Sequence, residues 1–279
     1  MIKYKDIPGQ YTVDKFLAMH FGEDEARRKL GGLDRKIDYT KKIAYDHEAI
    51  HREIFQFYER VGAQLWRSRA DALALYGASL YYNPDSPQSE WHRETFGAPR
   101  YREMTNEQYF GAPCAERAAG KPKSDYVDQF AFRRRHPYIE SHLPTLNALF
   151  DSFNFPIARV ASRTLNGLCQ IGNGWHVDSA DSYVLQLNLC INNNGMFGLE
   201  YKTGELFIPE SGELCIVNTS FLHSTYCQQR CNYQRTALVI NILPWYHYDP
   251  TEDGWEPNEY FGKIHPFDMV TQGIIRFGD

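Results

Sequence analysis

The chain has 279 residues, of which 43% are hydrophobic and 23% are charged, and its formal net charge is -5 at pH 7. These values are typical of a globular protein with one large domain, or one domain with an extension. The negative charge argues against a broad nucleic-acid surface, and no apolar run approaches the ~18 residues of a membrane helix. The first residues lack the layout of a secretory signal, so we expect a cytoplasmic protein without membrane or nucleic-acid partners. Nothing in the sequence indicates an oligomeric state.

The first half of the chain shows mainly helical patterns. Residues 12–32 begin with a Thr cap candidate and end in Gly-Gly, and apolar residues recur at helical spacing over residues 46–80. Residues 137–154 predict another amphipathic helix, interrupted near Pro144. Residues 81–124 are rich in Pro, Gly and polar residues and predict long loops, which are often functional.

From residue 156 the pattern changes to short β-rich runs separated by Gly, Asn and Ser turns. In one of them Tyr183, Leu185, Leu187 and Leu189 fall on one face, and Gln186 and Asn188 on the other. Closely spaced strands without intervening helices predict an antiparallel sandwich or jelly roll. We therefore predict an α+β fold in three parts: a helical and loop-rich N-terminal extension (1–155), a β-core (156–245) and a C-terminal tail packing on that core (246–279).

The cysteines and a run of arginines have less specific interpretations. The six cysteines are scattered and show no zinc-binding spacing, and Cys227 and Cys231 are separated by three residues. We expect reduced thiols throughout. The run "FRRRH" places Arg133, Arg134 and Arg135 in a row, which is typical of a solvated face but also suits an anionic ligand.

One short pattern suggests a metal site. His176 and Asp178 are two residues apart at the end of a strand run, and His223 follows 47 residues later, directly after another run. Residues two apart on a strand point to the same side, so the pair can close on one ion if a third ligand arrives from a neighbouring strand. Two histidines and one carboxylate make the facial triad of non-haem iron(II) oxygenases.

An arginine on a later strand suggests an anionic cosubstrate. Arg235 follows His223 by 12 residues and shares a strand face with Ala237 and Val239. A guanidinium pointing into an apolar barrel is costly without an anionic partner. A dicarboxylate supplies one through a bidentate pair.

With these four residues the chain resembles the Fe(II)/2-oxoglutarate-dependent dioxygenases, and the 47-residue gap between ligands is similar to their compact prolyl- and aspartyl/asparaginyl-hydroxylase-like branches. The resemblance covers roughly residues 156–245. It implies a cupin-like double-stranded β-helix in which His176, Asp178 and His223 bind Fe(II) and Arg235 holds the distal carboxylate of 2-oxoglutarate. It also implies O2 as cosubstrate, with succinate and CO2 as products and ascorbate as a supporting reductant.

The resemblance leaves the second contact to that carboxylate unassigned. Some family members carry a serine two residues after the arginine, where this chain has Ala237. Asn188, Tyr183 or Ser162 could take its place. Because Asp178 is a carboxylate and not a small residue, the resemblance implies hydroxylation or another oxidation and not halogenation.

The substrate is indicated only by class. Arg163, on the strand run before the His-x-Asp pair, is a candidate for contacting a substrate carboxylate, and Trp175 could pack over the iron site. Both also suit structural roles, as a surface residue and a core residue. Residues 80–110 and "FRRRH" are candidate lid or recognition elements. A small acidic metabolite such as an amino acid fits the arginines, and a protein side chain stays open.

Three other functions compete. "HEAIH" at residues 47–51 fits the His-Glu-x-x-His pattern of zinc peptidases, but the chain continues as helix without a recognisable third ligand, so we reject that function. A jelly roll that binds a ligand without chemistry is the main alternative. A cupin-type dioxygenase with three histidines has little need for Arg235.

Overall fold

The protein is described from a computed structural model. The structure describes residues 21–25, 36–61, 66–67, 75–84, 130, 132–169, 175, 184–219 and 221–278. These residues form a mixed α and β fold in which all strand pairings are antiparallel.

The largest element is a seven-stranded sheet. Its strands, in spatial order, are β1 (Ile37–Lys42), β10 (Glu213–Val217), β7 (Leu185–Cys190), β12 (Gln234–Ile242), β6 (Ile157–Asn166), β3 (Leu75–Ser79) and β2 (Trp66–Arg67). A three-stranded sheet has the order β11 (His223–Cys227), β8 (Phe197–Tyr201) and β9 (Leu206–Phe207). Two strand pairs complete the set: β4 (Tyr81–Tyr82) with β5 (Arg134–Arg135), and β13 (Tyr246–Asp249) with β14 (Gly254–Pro257).

Helices accompany the sheets in the described part of the chain. They include α1 (His47–Val61), α2 (Pro137–His142), α3 (Pro144–Asp151) and α4 (Pro266–Thr271). A 3-10 turn, Gly167–Cys169, follows β6. Among the residues that the structure describes, no helix has the length and apolar character needed to cross a lipid bilayer.

One face of the seven-stranded sheet is apolar and packs against the helices. Leu185, Leu187 and Leu189 alternate along β7, and all three are fully buried. They share one core cluster with Ile54 of α1 and Leu149 of α3. The leucine face of β7 and the apolar stripe of α1 therefore pack against each other, and this contact is part of the main hydrophobic core.

The opposite face of this sheet, which we call the inner face, carries Asn188, Cys215 and Val239 in one cross-strand row. Two small apolar clusters join it to the three-stranded sheet. One contains Leu165 of β6 with Phe197 and Cys227, and the other contains Cys215 and Val217 with Leu199 and Tyr201. The inner face therefore lies opposite the three-stranded sheet, and Asn188 on it is half-buried.

Several sequence predictions for these elements are confirmed, including the β-rich runs after residue 156 and the two helices divided at Pro144. The helical prediction for residues 46–80 is confirmed for His47–Val61 and wrong for Trp66–Arg67 and Leu75–Ser79, which are strands of the main sheet. All five residues of β3 are buried, so the segment shows no alternation that would mark it as a strand. At Gly77 a Cβ atom would lie 1.9 Å from the carbonyl oxygen of Ser162, so close strand pairing requires glycine there.

The main sheet also includes β1, which comes from the part of the chain that we predicted to be helices and loops. Its sequence, IDYTKK, is polar because it forms an edge of the sheet and is bonded on one side by β10. At the other end of the chain, Trp255 and Met269 are fully buried in the main core cluster. The last strands and α4 therefore take part in the same core as the large sheet.

Candidate functional site

Arg235 is a buried cation at the start of β12. It is 8% exposed, and its Nη2 donates a hydrogen bond to Oδ1 of Asn188 at 3.0 Å. Its Nε is buried and has no hydrogen-bond partner, and no carboxylate among the described residues forms an ion pair with the guanidinium. A buried charge of this kind is unfavourable until an anion pairs with it. Arg235 therefore has the properties of an anion-binding residue.

The strand register explains how Arg235 reaches Asn188. Asn188 lies opposite Val239 of β12, and Ala237 lies opposite Cys190. Because Arg235, Ala237 and Val239 alternate on the inner face, the arginine side chain extends along the sheet past the small Ala237 side chain. Because the side chain of Ala237 is only a methyl group, the guanidinium has room to lie beside Asn188.

Asn188 and Ser162 are the two described residues among the three that we named for the second carboxylate contact, and the structure brings Asn188, not Ser162, beside Arg235. Ser162 cannot supply this contact, because it pairs with Leu238 and lies on the helix-facing side, where its hydroxyl donates to the carbonyl of Ala78. Neighbouring residues of a strand project to opposite faces, so Ser162 is separated from Arg235 by the sheet itself. Tyr183 lies outside the described residues.

The inner face contains further polar and ionisable side chains that we did not predict. Gln186 of β7 lies directly opposite Asn241 of β12, and its Oε1 accepts a hydrogen bond from Oγ1 of Thr219 at 3.3 Å. Burial raises the pKa of the Cys215 thiol to about 12, and the Arg235 guanidinium acts in the opposite direction. The alternation of Gln186 with the leucines of β7 is the signal that could have identified this residue.

His223 begins β11 and is 3% exposed. It lies directly opposite Tyr201, which packs with Cys215 and Val217 of the inner face, so His223 projects into the space between the two sheets. Its Nδ1 lies 2.9 Å from the carbonyl oxygen of Phe221. Since a carbonyl only accepts, Nδ1 donates to it, and in the neutral ring the lone pair is then on Nε2, which is the form in which histidine binds metals.

The other two predicted iron ligands, His176 and Asp178, lie outside the described residues. Within the described ranges, no group of three or more His, Cys, Asp or Glu side chains could hold a metal ion. His223 is thus the predicted ligand whose surroundings are known. The donor type and the tautomer of His223 fit an iron site to which the two remaining ligands would be added.

Arg163 lies on the same face as Arg235. It is 9% exposed, it lies opposite Ala237 on one side and Gly77 on the other, and its Nη1 donates to the carbonyl oxygen of Ser162 at 2.8 Å. A Cβ at Gly77 would lie 3.2 Å from Nη1 of Arg163, so the guanidinium lies against this glycine. Arg163 and Arg235 therefore share the inner face, and Arg163 is the predicted substrate contact.

Trp175 is half-buried, and the Nζ of Lys202 lies 4.7 Å from the centroid of its ring. This distance is that of a cation–π contact. Lys202 directly follows β8, and its backbone N–H donates to the carbonyl of Leu222, the residue before His223. The structure therefore places Trp175 near the end of the three-stranded sheet at which His223 is found.

The three arginines of "FRRRH" are engaged in internal ion pairs. Arg133 is buried and binds both carboxylate oxygens of Asp253, at 2.8 and 2.6 Å. Arg134 also pairs with Asp253, at 3.4 Å, and Arg135 pairs with Asp151 at 2.7 Å. These contacts hold the pKa of the Asp253 carboxyl well below its usual range. The arginines join separate parts of the fold, so a role in binding an external anion is not needed to explain them.

Within the predicted lid region of residues 80–110, residues 85–110 lie outside the described part of the chain.

"HEAIH" forms the first turn of α1. The Nε2 of His47 lies 2.8 Å from the carbonyl oxygen of Ile43 and therefore donates to it, while the ring of His51 packs against Phe55. A Cβ at Gly212 would lie 2.6 Å from His47 Nε2, so this ring is packed against the turn before β10. In the described part of the chain no third ligand joins the two histidines, which here serve packing.

No protein-family model and no curated protein matches this chain. Among solved structures, a prolyl-4-hydroxylase of Pseudomonas putida has 10% identity and a TM-score of 0.34, with 74% of this chain and 91% of that protein covered. AviO1 of Streptomyces viridochromogenes has 11% identity and a TM-score of 0.37, with 77% and 90% covered. An oxidoreductase of the 2OG-Fe(II) oxygenase family from Burkholderia pseudomallei has 18% identity and a TM-score of 0.25, with 31% and 42% covered. Likenesses this distant do not assign a function to this chain.

Proposed function

We propose that this protein is an Fe(II)- and 2-oxoglutarate-dependent oxygenase whose two sheets form a double-stranded β-helix. The observation that carries the proposal is the buried guanidinium of Arg235, which has one neutral partner, an open Nε and no carboxylate among the described residues. A dicarboxylate cosubstrate provides the missing anion through a bidentate pair.

The inner face would hold the distal carboxylate of 2-oxoglutarate through Arg235. Asn188 orients the guanidinium without neutralising it, because an amide oxygen accepts a hydrogen bond but carries no formal charge. Arg235 is buried, and burial strengthens an ion pair because it lowers the local dielectric constant. The binding site thus depends on a preformed, buried cation.

His176, Asp178 and His223 would hold the iron, and a bound iron with 2-oxoglutarate supplies the oxidation of a C–H bond by O2, with release of succinate and CO2. His223 supports this assignment, because it is buried between the two sheets and its Nδ1 contacts the carbonyl oxygen of Phe221. Histidine ligands of metals commonly make such a second contact through the other ring nitrogen.

The substrate class that we propose is a small acidic metabolite or amino acid, or a side chain of a protein. Arg163 supports the acidic character, since it is a second cation on the inner face and lies between the small residues Gly77 and Ala237. A cation at that position would orient a substrate carboxylate and thereby fix which C–H bond is presented to the iron.

Anaerobic titration with 2-oxoglutarate tests the proposal. Iron(II)-loaded protein is expected to develop a weak visible charge-transfer band on addition of 2-oxoglutarate. The band is expected to be lost in His223→Ala and to need a much higher 2-oxoglutarate concentration in Arg235→Gln. Arg230→Gln is the matched control, because Arg230 is exposed in the turn before β12.

Two outcomes would decide against an oxygenase. If the folded, iron-loaded protein gives no band at any 2-oxoglutarate concentration, the site does not bind the cosubstrate at iron. If calorimetry then still detects a dicarboxylate bound in an Arg235-dependent way without iron, the protein is a jelly roll that binds an anion without chemistry.

A further inference from the structure

Two cysteines lie side by side in the connection between β11 and β12. The Sγ atoms of Cys227 and Cys231 are 3.7 Å apart. A disulfide bond is about 2.05 Å long, so the two sulfurs need to approach by roughly 1.7 Å to form one. Cys227 is the last residue of β11 and is 3% exposed, whereas Cys231 is half-buried. Cys227 is therefore the more buried residue of the pair and Cys231 the more accessible one.

The backbone on both sides holds this pair together. Gln228 N–H donates to the carbonyl of Met196 at 2.8 Å, and Cys231 N–H donates to that of Gly167 at 3.3 Å. A Cβ at Gly167 would lie 2.6 Å from the Sγ of Cys231, so the absence of a side chain there makes room for the sulfur. The backbone around the two thiols is thus held by the 3-10 turn after β6 and by the residue before β8.

We propose that Cys227 and Cys231 form a reversible disulfide when the protein meets a hydroperoxide. This modification site is independent of the proposed oxygenase function. The bond would cross-link the two ends of the connection between β11, which begins with His223, and β12, which carries Arg235. Cys227 lies four residues after His223, and Cys231 lies four residues before Arg235.

The reaction has two balanced steps. The thiolate of Cys231 attacks one oxygen of hydrogen peroxide, the O–O bond breaks, and the products are a sulfenic acid and hydroxide, which takes a proton to become water. The Cys227 sulfur then attacks the sulfur of the sulfenic acid, and its proton leaves with the hydroxyl group as a second water. Two thiols are oxidised and one peroxide is reduced.

The environments of the two thiols decide which of them reacts first with the peroxide. Burial raises the pKa of Cys227 to about 11, and the hydrogen bond between the two thiols acts in the same direction. The Sγ of Cys227 also lies 2.9 Å from the carbonyl oxygen of Gln229. Cys227 is therefore held as a protonated thiol and resolves the sulfenic acid, while the more accessible Cys231 reacts first.

Peptide mapping of the full-length protein tests the proposal directly. The protein is treated with hydrogen peroxide in the presence of a chelator, the remaining thiols are alkylated, and trypsin cuts after Arg230, between the two cysteines. The expected product is residues 203–230 linked to residues 231–235, lighter by two hydrogens than the sum of the two peptides. Dithiothreitol should release both peptides.

Two variants locate the bond. Cys227→Ser should abolish the linked product and leave Cys231 as a sulfenic acid that dimedone traps. Cys215→Ser removes the other cysteine of residues 203–230 and should leave the link intact, since Cys215 packs in a different cluster. Circular dichroism confirms that each variant is folded.

The proposal is overturned if residues 231–235 are recovered alkylated and unlinked after peroxide treatment, or if Cys231 is linked to another cysteine. The proposal is also overturned if folded Cys227→Ser still gives the linked product. Because the reaction needs neither iron nor 2-oxoglutarate, a negative result here leaves the oxygenase proposal untouched.

Discussion

Oδ1 of Asn188 accepts a hydrogen bond from Nη2 of Arg235 at 3.0 Å, and the two residues belong to neighbouring antiparallel strands of the main sheet. The contact is diagonal, because Asn188 lies opposite Val239 and not opposite Arg235. It aims the guanidinium along the inner face, where its Nε has no partner in the described part of the chain. A neutral residue thus positions the charge and leaves it available to a ligand.

Replacing that neutral residue by a charged one should weaken ligand binding. In Asn188→Asp a carboxylate of the same shape takes the place of the amide and pairs with Arg235, so it competes with the carboxylate of 2-oxoglutarate. We expect the affinity for 2-oxoglutarate to fall about tenfold or more, with no loss of thermal stability. Isothermal titration calorimetry measures the affinity, and differential scanning calorimetry of the same samples measures the thermal stability.

Asn154→Asp is the control for this substitution, because Asn154 is exposed and bonds Ile274 and Arg276 at the surface. It should leave the affinity unchanged. An unchanged affinity in Asn188→Asp as well would show that Arg235 does not receive the dicarboxylate.

The size of residue 237 should control the path of the arginine. Ala237→Ser adds a hydroxyl donor beside the guanidinium. We expect the binding free energy of 2-oxoglutarate to become about 1 kcal/mol more favourable, which is a roughly fivefold higher affinity. Ala237→Leu fills the space that Arg235 crosses and should abolish binding while lowering the free energy of unfolding by about 1–3 kcal/mol. Equal affinities in the two variants would contradict the diagonal path.

Glu53 of α1 should stabilise α3. Its two carboxylate oxygens accept hydrogen bonds from the backbone N–H groups of Thr145 and Leu146, at 2.9 and 2.8 Å, in the first turn of that helix. Because Glu53 is 9% exposed, Glu53→Ala leaves two buried donors unpaired, and we expect a loss of about 2–3 kcal/mol in the free energy of unfolding.

Chemical denaturation measures this loss, and Glu59→Ala on the same helix is the matched control. Glu59 is exposed, so its replacement should change the free energy by less than about 0.5 kcal/mol. Similar losses in both variants would mean that helix propensity, and not the contact with α3, is responsible.

His136 should make the fold less stable in mild acid. Burial, assisted by the charge of Arg60, lowers its pKa to about 4, and its Nδ1 accepts the N–H of Tyr138 at the start of α2. The folded state therefore resists protonation that the unfolded chain accepts near pH 6.5. The contribution of neutral His136 is complete above pH 6.5 and is lost as the pH falls toward about 4.

We expect the free energy of unfolding to drop by about 1–2 kcal/mol between pH 7 and pH 5 from this residue, as measured by urea denaturation. His136→Asn keeps a capping acceptor and removes the titration, so its profile should be flatter. Burial also lowers the pKa of His51, so His51 likewise reduces the stability in acid, in the wild type and in His136→Asn alike. Identical slopes for the wild type and the variant would contradict the assignment to His136.

Local patterns predicted much of the β-rich half. The alternation of leucines with Gln186 and Asn188 separated the two faces of β7, because the period of two is a property of the strand itself. The same reasoning put Arg235 on one face with Ala237 and Val239. It failed for Leu75–Ser79, where burial on both sides removes the period, and for the polar edge strand Ile37–Lys42.

The sequence by itself therefore determined which side chains share a face of a strand and which residue types could bind a metal or an anion. Only the tertiary structure decided that Asn188 and not Ser162 lies beside Arg235, that Arg235 is buried without a carboxylate partner in the described residues, and that Cys227 meets Cys231. The physical reason is that these relations depend on strand order and register. Both are set by packing between residues far apart in the chain, which no local period encodes.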